Sequence, residues 1–206
     1  MTRSQTNSVE RRGPGRPREF DMDTALNRAL VVFSERGYHA ASLAELRGAM
    51  KLATGSLYKA FADKRAIFLA TLDHYIARRD GQVRERLDAH HTGRDKLEAL
   101  LQFYAESASD SEGRRGCLVV TSATELATLD AEAAAKVRAA LRRVETLLRD
   151  LIRLGQADGS IRPALDPDAV AGALFCVIQG LRVVGKTGRG KSEMMSVAKQ
   201  AAALFT

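Results

Sequence analysis

Apolar residues recur three and four positions apart along almost the whole chain, the spacing of helices with one buried face. Met22, Leu26, Ala29, Leu30 and Phe33 mark a first helix, with Asp21 or Asp23 placed to cap its start and Gly37 to stop it. Leu43, Leu46, Ala49 and Met50 follow Ser42, a good N-cap residue. A turn near Lys51–Ala53 leads to a second short helix containing Leu57, Tyr58 and Phe61. Asp63 then opens a long helix with Phe68, Leu72, Tyr75, Ile76, Val83 and Leu87 on one side.

The pattern restarts after Thr92–Gly93 with Leu97, Leu100, Leu101 and Tyr104. A polar break, SASDSEGRRG, precedes a helix beginning near Cys117. A long helix from about Asp130 carries Val137, Leu141, Val144, Leu148 and Leu151. Gly155 to Pro167 has the turn residues of a loop, and an apolar helix runs from Asp168 to about Val184. The link GKTGRGK leads to a last helix through Leu204 and Phe205. Local strand character is confined to Cys117–Thr121 and Phe175–Ile178, and both lie within helix-compatible patterns. The pattern predicts an all-α fold of about nine helices, with no repeat of fixed period.

At 206 residues, 45% hydrophobic and 28% charged, the chain has enough apolar surface to offset its ordering entropy, which excludes disorder for most of it. Its two cysteines, Cys117 and Cys176, are too few for a disulfide scaffold and suit a reducing cytoplasm. The opening MTRSQTNSVERRGPGRP has no apolar core and does not match a secretory signal. The charge-free stretch Ala169–Leu181 is short for a bilayer and is predicted as a buried helix, so no membrane partner is expected. The net charge of +7 is uneven: the first 18 residues hold Arg3, Arg11, Arg12, Arg16 and Arg18 against Glu10 alone. A basic arm on a near-neutral remainder points to a polyanion.

Two short helices joined by a tight turn, behind a longer first helix, make a helix-turn-helix pattern whose second short helix would enter the DNA major groove. Thr54, Ser56, Tyr58 and Lys59 offer hydroxyls and an ammonium there, while Leu57 and Phe61 would anchor the opposite face. Gly55 is costly inside a helix, and close approach to a phosphate backbone would account for it.

GRPRE, then ALVVFSERGYHAASLAEL, then TGSLYKAFADKRAIF, over about Gly15–Leu69, resembles the DNA-binding domain of the TetR family of transcriptional regulators. The resemblance implies a basic arm (1–18), a helix-turn-helix domain (19–66) and a larger helical domain for effector binding and dimerisation (67–206). It implies phosphate contacts by Ser42 and Lys64, base contacts by Thr54 and Lys59, and backbone contacts by Gly55, Ser56 and Tyr58. Arg16 and Arg18 would meet phosphates or the minor groove. The sequence departs from the family pattern at Lys51, where glycine is usual, at Ala53, where a capping hydroxyl is usual, and at Ala60. Thr54 is the expected substitute cap.

The C-terminal part is expected to form a homodimer through about 168–184 and 192–205, where Ala169, Ala171, Gly172 and Ala173 would permit close helix approach. The resemblance also implies a small-molecule effector site, for which Phe103, Tyr104, Cys117, Thr121 and Leu148 are the nominated lining. Cys117 follows Arg114, Arg115 and Gly116 near a helix start, a setting that lowers a thiol pKa. The expected function is that of a cytoplasmic regulator, a repressor released from a palindromic operator by an effector.

Two rival readings remain at this stage. Gly180–Thr187 matches the phosphate-loop formula G-x-x-x-x-G-K-[ST], but the loop needs a strand before it, a helix after it and further parallel strands. A helical adaptor that binds only protein is the other. His90 and His91 are adjacent and diverge on a helix, and no enzyme motif or metal cluster stands out, so neither catalysis, cofactor nor metal is expected.

Overall fold

The computed structural model describes residues 21–125 and 130–206, and every regular element among them is helical. The order is α1 (Met22–Ala40), α2 (Leu43–Met50), α3 (Thr54–Ala60), α4 (Lys64–Asp88), α5 (Gly93–Ser107), α6 (Asp110–Arg115), α7 (Leu118–Glu125), α8 (Ala131–Asp158), α9 (Pro167–Gly185) and α10 (Lys191–Ala201), closed by a 3-10 turn at Ala202–Leu204. Helix α6 is the addition to the predicted set. It is six residues long and sits inside the polar break, where no apolar stripe announces it.

Two cores share the long helices α4 and α8. The first gathers Leu26, Ala29 and Phe33 of α1, Leu46 and Met50 of α2, Leu57 of α3, and Ile67, Phe68 and Leu72 of α4, with Leu118 and Val119 of α7 against them. The second gathers Val83 and Leu87 from the far end of α4, Leu97, Leu100 and Tyr104 of α5, Leu148 and Ile152 of α8, Leu174 and Ile178 of α9, and Met194 and Phe205. Helix α4 is continuous for 25 residues and contributes to both.

Gly37 bends α1 rather than ending it. Its φ of +77° is open to glycine, and a Cβ there would lie 2.5 Å from Glu125 Oε1. The Tyr38 N–H donates to Glu125 Oε2 at 2.9 Å, so the end of α7 holds the bend. Helix α8 also runs past the predicted loop start, to Asp158. Gly155 stays helical because α5 crosses there: a Cβ on Gly93 would fall 2.1 Å from the Gly155 nitrogen.

Helix α9 corrects the expectation of a buried helix. It buries Ala171, Leu174, Ile178, Leu181 and Arg182, but leaves Ala169, Ala173, Cys176, Gly180 and Val183 exposed. By length and composition it could cross a membrane, and a third of it is buried in the chain itself. Gly180–Thr187 is the end of this helix. The Thr187 hydroxyl donates to the Val184 carbonyl at 2.7 Å, and Leu174–Ile178, the strand a phosphate loop would need, is helical.

Candidate nucleic-acid interface

The sequence builds the α2–turn–α3 unit by local capping. Ser42 Oγ accepts from the Glu45 N–H at 3.1 Å, and Glu45 Oε2 accepts from the Ser42 N–H at 3.0 Å, closing a capping box at the start of α2. These hydrogen bonds to Ser42 hold the Glu45 carboxyl below its ordinary pKa. The Ser42 hydroxyl proton also goes to Glu45, at 2.9 Å. Lys51 ends α2 in the left-handed region (φ 56°, ψ 41°), which explains why glycine suits this position; a side chain costs about 1–2 kcal/mol there.

Ala53 is the N-cap of α3 and supplies no side-chain bond. Thr54 does not replace it, contrary to the sequence expectation. Its hydroxyl accepts from Arg47 Nη1 at 2.9 Å, which ties α3 back to α2. Arg47 was missed in the sequence; its exposed place on α2, one turn before the helix end, was the available signal.

Leu57 (1% exposed) and Phe61 press α3 onto the first core. The opposite face presents Thr54, Gly55, Tyr58 and Lys59 to solvent, with Ser56 half-buried at its edge. Tyr58 is 56% exposed, unusual for so large a ring. Gly55 has helical backbone and a Cβ there would meet nothing within 4 Å, so the fold itself places no demand for glycine. Lys64 has partners inside the chain. Its ammonium donates to the carbonyls of Tyr38 (3.0 Å), Ala41 (3.1 Å) and His39 (3.4 Å) and lies over the Tyr38 ring at 4.6 Å. It fastens the end of α1 to α4 and is not a free cation. Arg16 and Arg18 lie outside the described residues.

The nominated effector residues do not line one groove together. A groove of about 760 Å³ between α4, α5 and α8 has an apolar floor of Val83, Leu87, Tyr104, Val144, Leu147 and Leu151, with Arg84, Lys96, Arg142 and Asp150 among its polar lining. Tyr104 is the one nominated residue that lines it. Phe103 packs against Tyr104 with ring centroids 5.4 Å apart, and Leu148 is fully buried in the second core. The Thr121 hydroxyl lies 3.4 Å from Lys186 Nζ. Cys117 lines a separate, much smaller cavity.

A short helix pair carrying an exposed second helix, on a three-helix head joined to a larger helical body, defines a helix-turn-helix DNA-binding regulator. Known proteins place it further. Residues 25–71 match the model of the bacterial regulatory proteins of the tetR family, and residues 93–201 match the tetracyclin repressor-like C-terminal domain. The HTH-type transcriptional repressor ComR of Escherichia coli (strain K12) is 30% identical over 187 residues, 89% of this chain and 88% of that one. The HTH-type transcriptional activator FasR of Mycolicibacterium smegmatis is 32% identical over 106 residues, 51% of this chain and 48% of its own. A cysteine-substituted mutant of the TetR family transcriptional regulator CifR, complexed with 26-bp double-strand operator DNA, superposes with a TM-score of 0.81 at 35% identity, covering 93% of this chain and 100% of the other. The chain belongs to the TetR family. It is a DNA-binding transcriptional regulator and not an enzyme.

Proposed function

We propose that this regulator is a cytoplasmic homodimeric repressor whose two α3 helices read the half-sites of an inverted repeat. The observation that carries the reading is the exposed α3 face, where Gly55 has no internal cause and Tyr58 stands in solvent. Thr54 and Lys59 contact base edges; Gly55, Ser56 and Tyr58 meet the DNA backbone, with the arm's Arg16 and Arg18 on phosphates or in the minor groove. Ser42 acts through the N-terminus of α2, since its hydroxyl is engaged by Glu45. Lys64 positions α1 against α4. The assignment of 1–18 to the arm, 19–66 to the head and 67–206 to the body follows the same reading.

The dimer is supported by exposed apolar residues on α9, α10 and the closing 3-10 turn, where Val183 (55%), Val197 (40%) and Leu204 (41%) lie in solvent beside small residues. Pairing there sets two recognition helices about 34 Å apart, one turn of DNA. Repression is favoured over activation because ComR, which matches 89% of this chain, is a repressor. The effector of this reading binds the body and prefers one spacing of the heads, the only way a ligand shifts such an equilibrium. The groove between α4, α5 and α8 has the size and apolar floor for it.

Selection from random duplex DNA with the folded protein at about 150 mM salt tests this reading. Enrichment of an inverted repeat is expected. Enrichment of single, unpaired half-sites overturns the dimer, and enrichment of nothing by the folded protein overturns operator binding without a co-ligand.

A further inference from the structure

Cys117 is the N-cap residue of α7: its carbonyl accepts from the Thr121 N–H at 2.9 Å, and its thiol faces the Val120 N–H. The Tyr75 hydroxyl of α4 donates to Cys117 Sγ at 3.3 Å. Arg182 of α9 reaches the same place. It is 8% exposed, its guanidinium lies 4.5 Å over the Tyr104 ring, and no carboxylate stands within 4.0 Å of it among the described residues. A buried guanidinium without a carboxylate needs another anion. The groups facing the thiol are Tyr75 and Arg79 from α4, Tyr104 from α5 and Arg182 from α9; Lys186 packs against Gly116, Arg79 is paired with Glu112 at 2.9 Å, and Asp80 is paired with Arg143.

Burial pushes the thiol pKa up. Arg182, the Tyr75 hydroxyl, the Val120 N–H and Arg79 outweigh it, so the net shift is downward. The Tyr75 pKa moves the other way, by burial and the neighbouring sulfur, which keeps the phenol a donor. The cavity at the sulfur has room for about one water, about 10 Å³. Its walls include Tyr75, Arg79 and Gly116, and the same three residues line an open cleft of about 420 Å³ between α1, α4 and α6. Cys117 itself is 6% exposed, and Tyr75, Arg79 and Gly116 form the wall between its thiol and that cleft, so a reagent reaches the sulfur when this wall moves aside.

We infer that Cys117 is a modification site: a thiolate, countered by Arg182, that small α,β-unsaturated carbonyl compounds alkylate after entering between α1, α4 and α6. The sulfur lone pair attacks the β-carbon and forms the C–S bond. The C=C electron pair shifts to the carbonyl oxygen, and the enolate takes a proton at the α-carbon from Tyr75 or water, with solvent restoring the phenol. The product is a thioether, and the addition consumes no oxidant or reductant.

The adduct acts on the fold in two ways. It overfills a one-water cavity. It also removes the anion facing Arg182 and the charged acceptor at the start of α7. The other end of α7 is Glu125, which holds the Gly37–Tyr38 bend of α1 in the head. A displaced α7 thus acts on the DNA-binding unit, a consequence that rests on the operator-binding reading.

The test exposes full-length protein to methyl vinyl ketone at pH 7 and follows mass and peptide maps, with N-acetylcysteine as the reference thiol. Native Cys117 is expected to react about tenfold faster than the reference. Its rate should stay flat with pH below the ordinary thiol range. Arg182→Gln and Tyr75→Phe should each slow it about tenfold and move the pH profile up. Slower reaction than the reference, or reaction only after urea unfolding, overturns the site. A selected duplex then reads release: the adduct should weaken binding about tenfold in the wild type and not in Cys117→Ser, whose hydroxyl can still cap α7. Rapid alkylation with unchanged DNA affinity overturns the switch alone. If no duplex is selected, the alkylation result still decides the site, and the fault lies with the operator reading.

Discussion

Replacing Gly55 with alanine should make the protein more stable and a worse DNA binder. Gly55 is the second residue of α3, its backbone is helical, and an added methyl meets no atom of the protein within 4 Å. Alanine is better than glycine in a helix by about 0.5–1 kcal/mol, with the lower figure suited to a first turn. Nothing in the fold offsets that gain. If α3 lies against DNA at this point, the methyl must displace either the helix or the phosphate backbone, and a loss of about tenfold in affinity corresponds to 1.4 kcal/mol. The two effects have opposite signs, which separates them from a general folding defect. The chain has no tryptophan, so urea unfolding is best followed by far-ultraviolet circular dichroism, with binding followed by anisotropy of a labelled selected duplex. Unchanged affinity, or a lower unfolding midpoint, would refute the reasoning.

Lys59→Ala should change base preference by about 1–3 kcal/mol at one position in each half-site, visible as a relaxed motif on repeating the selection. Lys64→Met removes three contacts to carbonyls and should lower stability by about 1–2 kcal/mol in urea unfolding, with no change in preferred sequence. Arg65 hydrogen-bonds Asp130, and with the Ala133 N–H it draws the Asp130 carboxyl down from 3.8 to about 2. A depressed native pKa adds stability above the unfolded value, and that stability is lost as pH falls from about 4 towards 2. Because Arg65 is 45% exposed, solvent screens the pair and the effect should be small. Wild type should lose much of that advantage over Asp130→Asn between about pH 6 and about pH 2.5, and an equal gap at both pH values contradicts the pairing. Val183→Glu places a charge on the exposed face of α9 and should yield monomers in sedimentation velocity; a persistent dimer would move the interface elsewhere.

The helices were legible because each carries its own stripe and caps. Asp63, Thr92 and Asp130 stand before apolar periods, and each caps the helix it announces. The recognition face was legible for the same local reason, since Leu57 and Phe61 fix which side of α3 turns inward. What escaped depends on distant partners. Lys64 looked like a free cation, but the carbonyls it serves belong to α1. Gly155 looked like a turn, because nothing local says that Gly93 will cross it. The setting of Cys117 was half visible: Arg114 and Arg115 precede it, while the groups that lower its pKa, Arg182 and Tyr75, come from α9 and α4.

Helix α4 limits how this regulator can be taken apart. Its first half supplies Ile67, Phe68 and Leu72 to the head, and its second half supplies Val83 and Leu87 to the body. A chimera joined at residue 66 would give the transplanted head a foreign set of these three core residues. A graft intended to keep the original specificity should therefore cross over beyond Tyr75, within the stretch before Val83 where the helix passes from one core to the other. Such a hybrid inherits the donor's α4 register, so adding or deleting one residue there would turn the new head by about 100° relative to the old body.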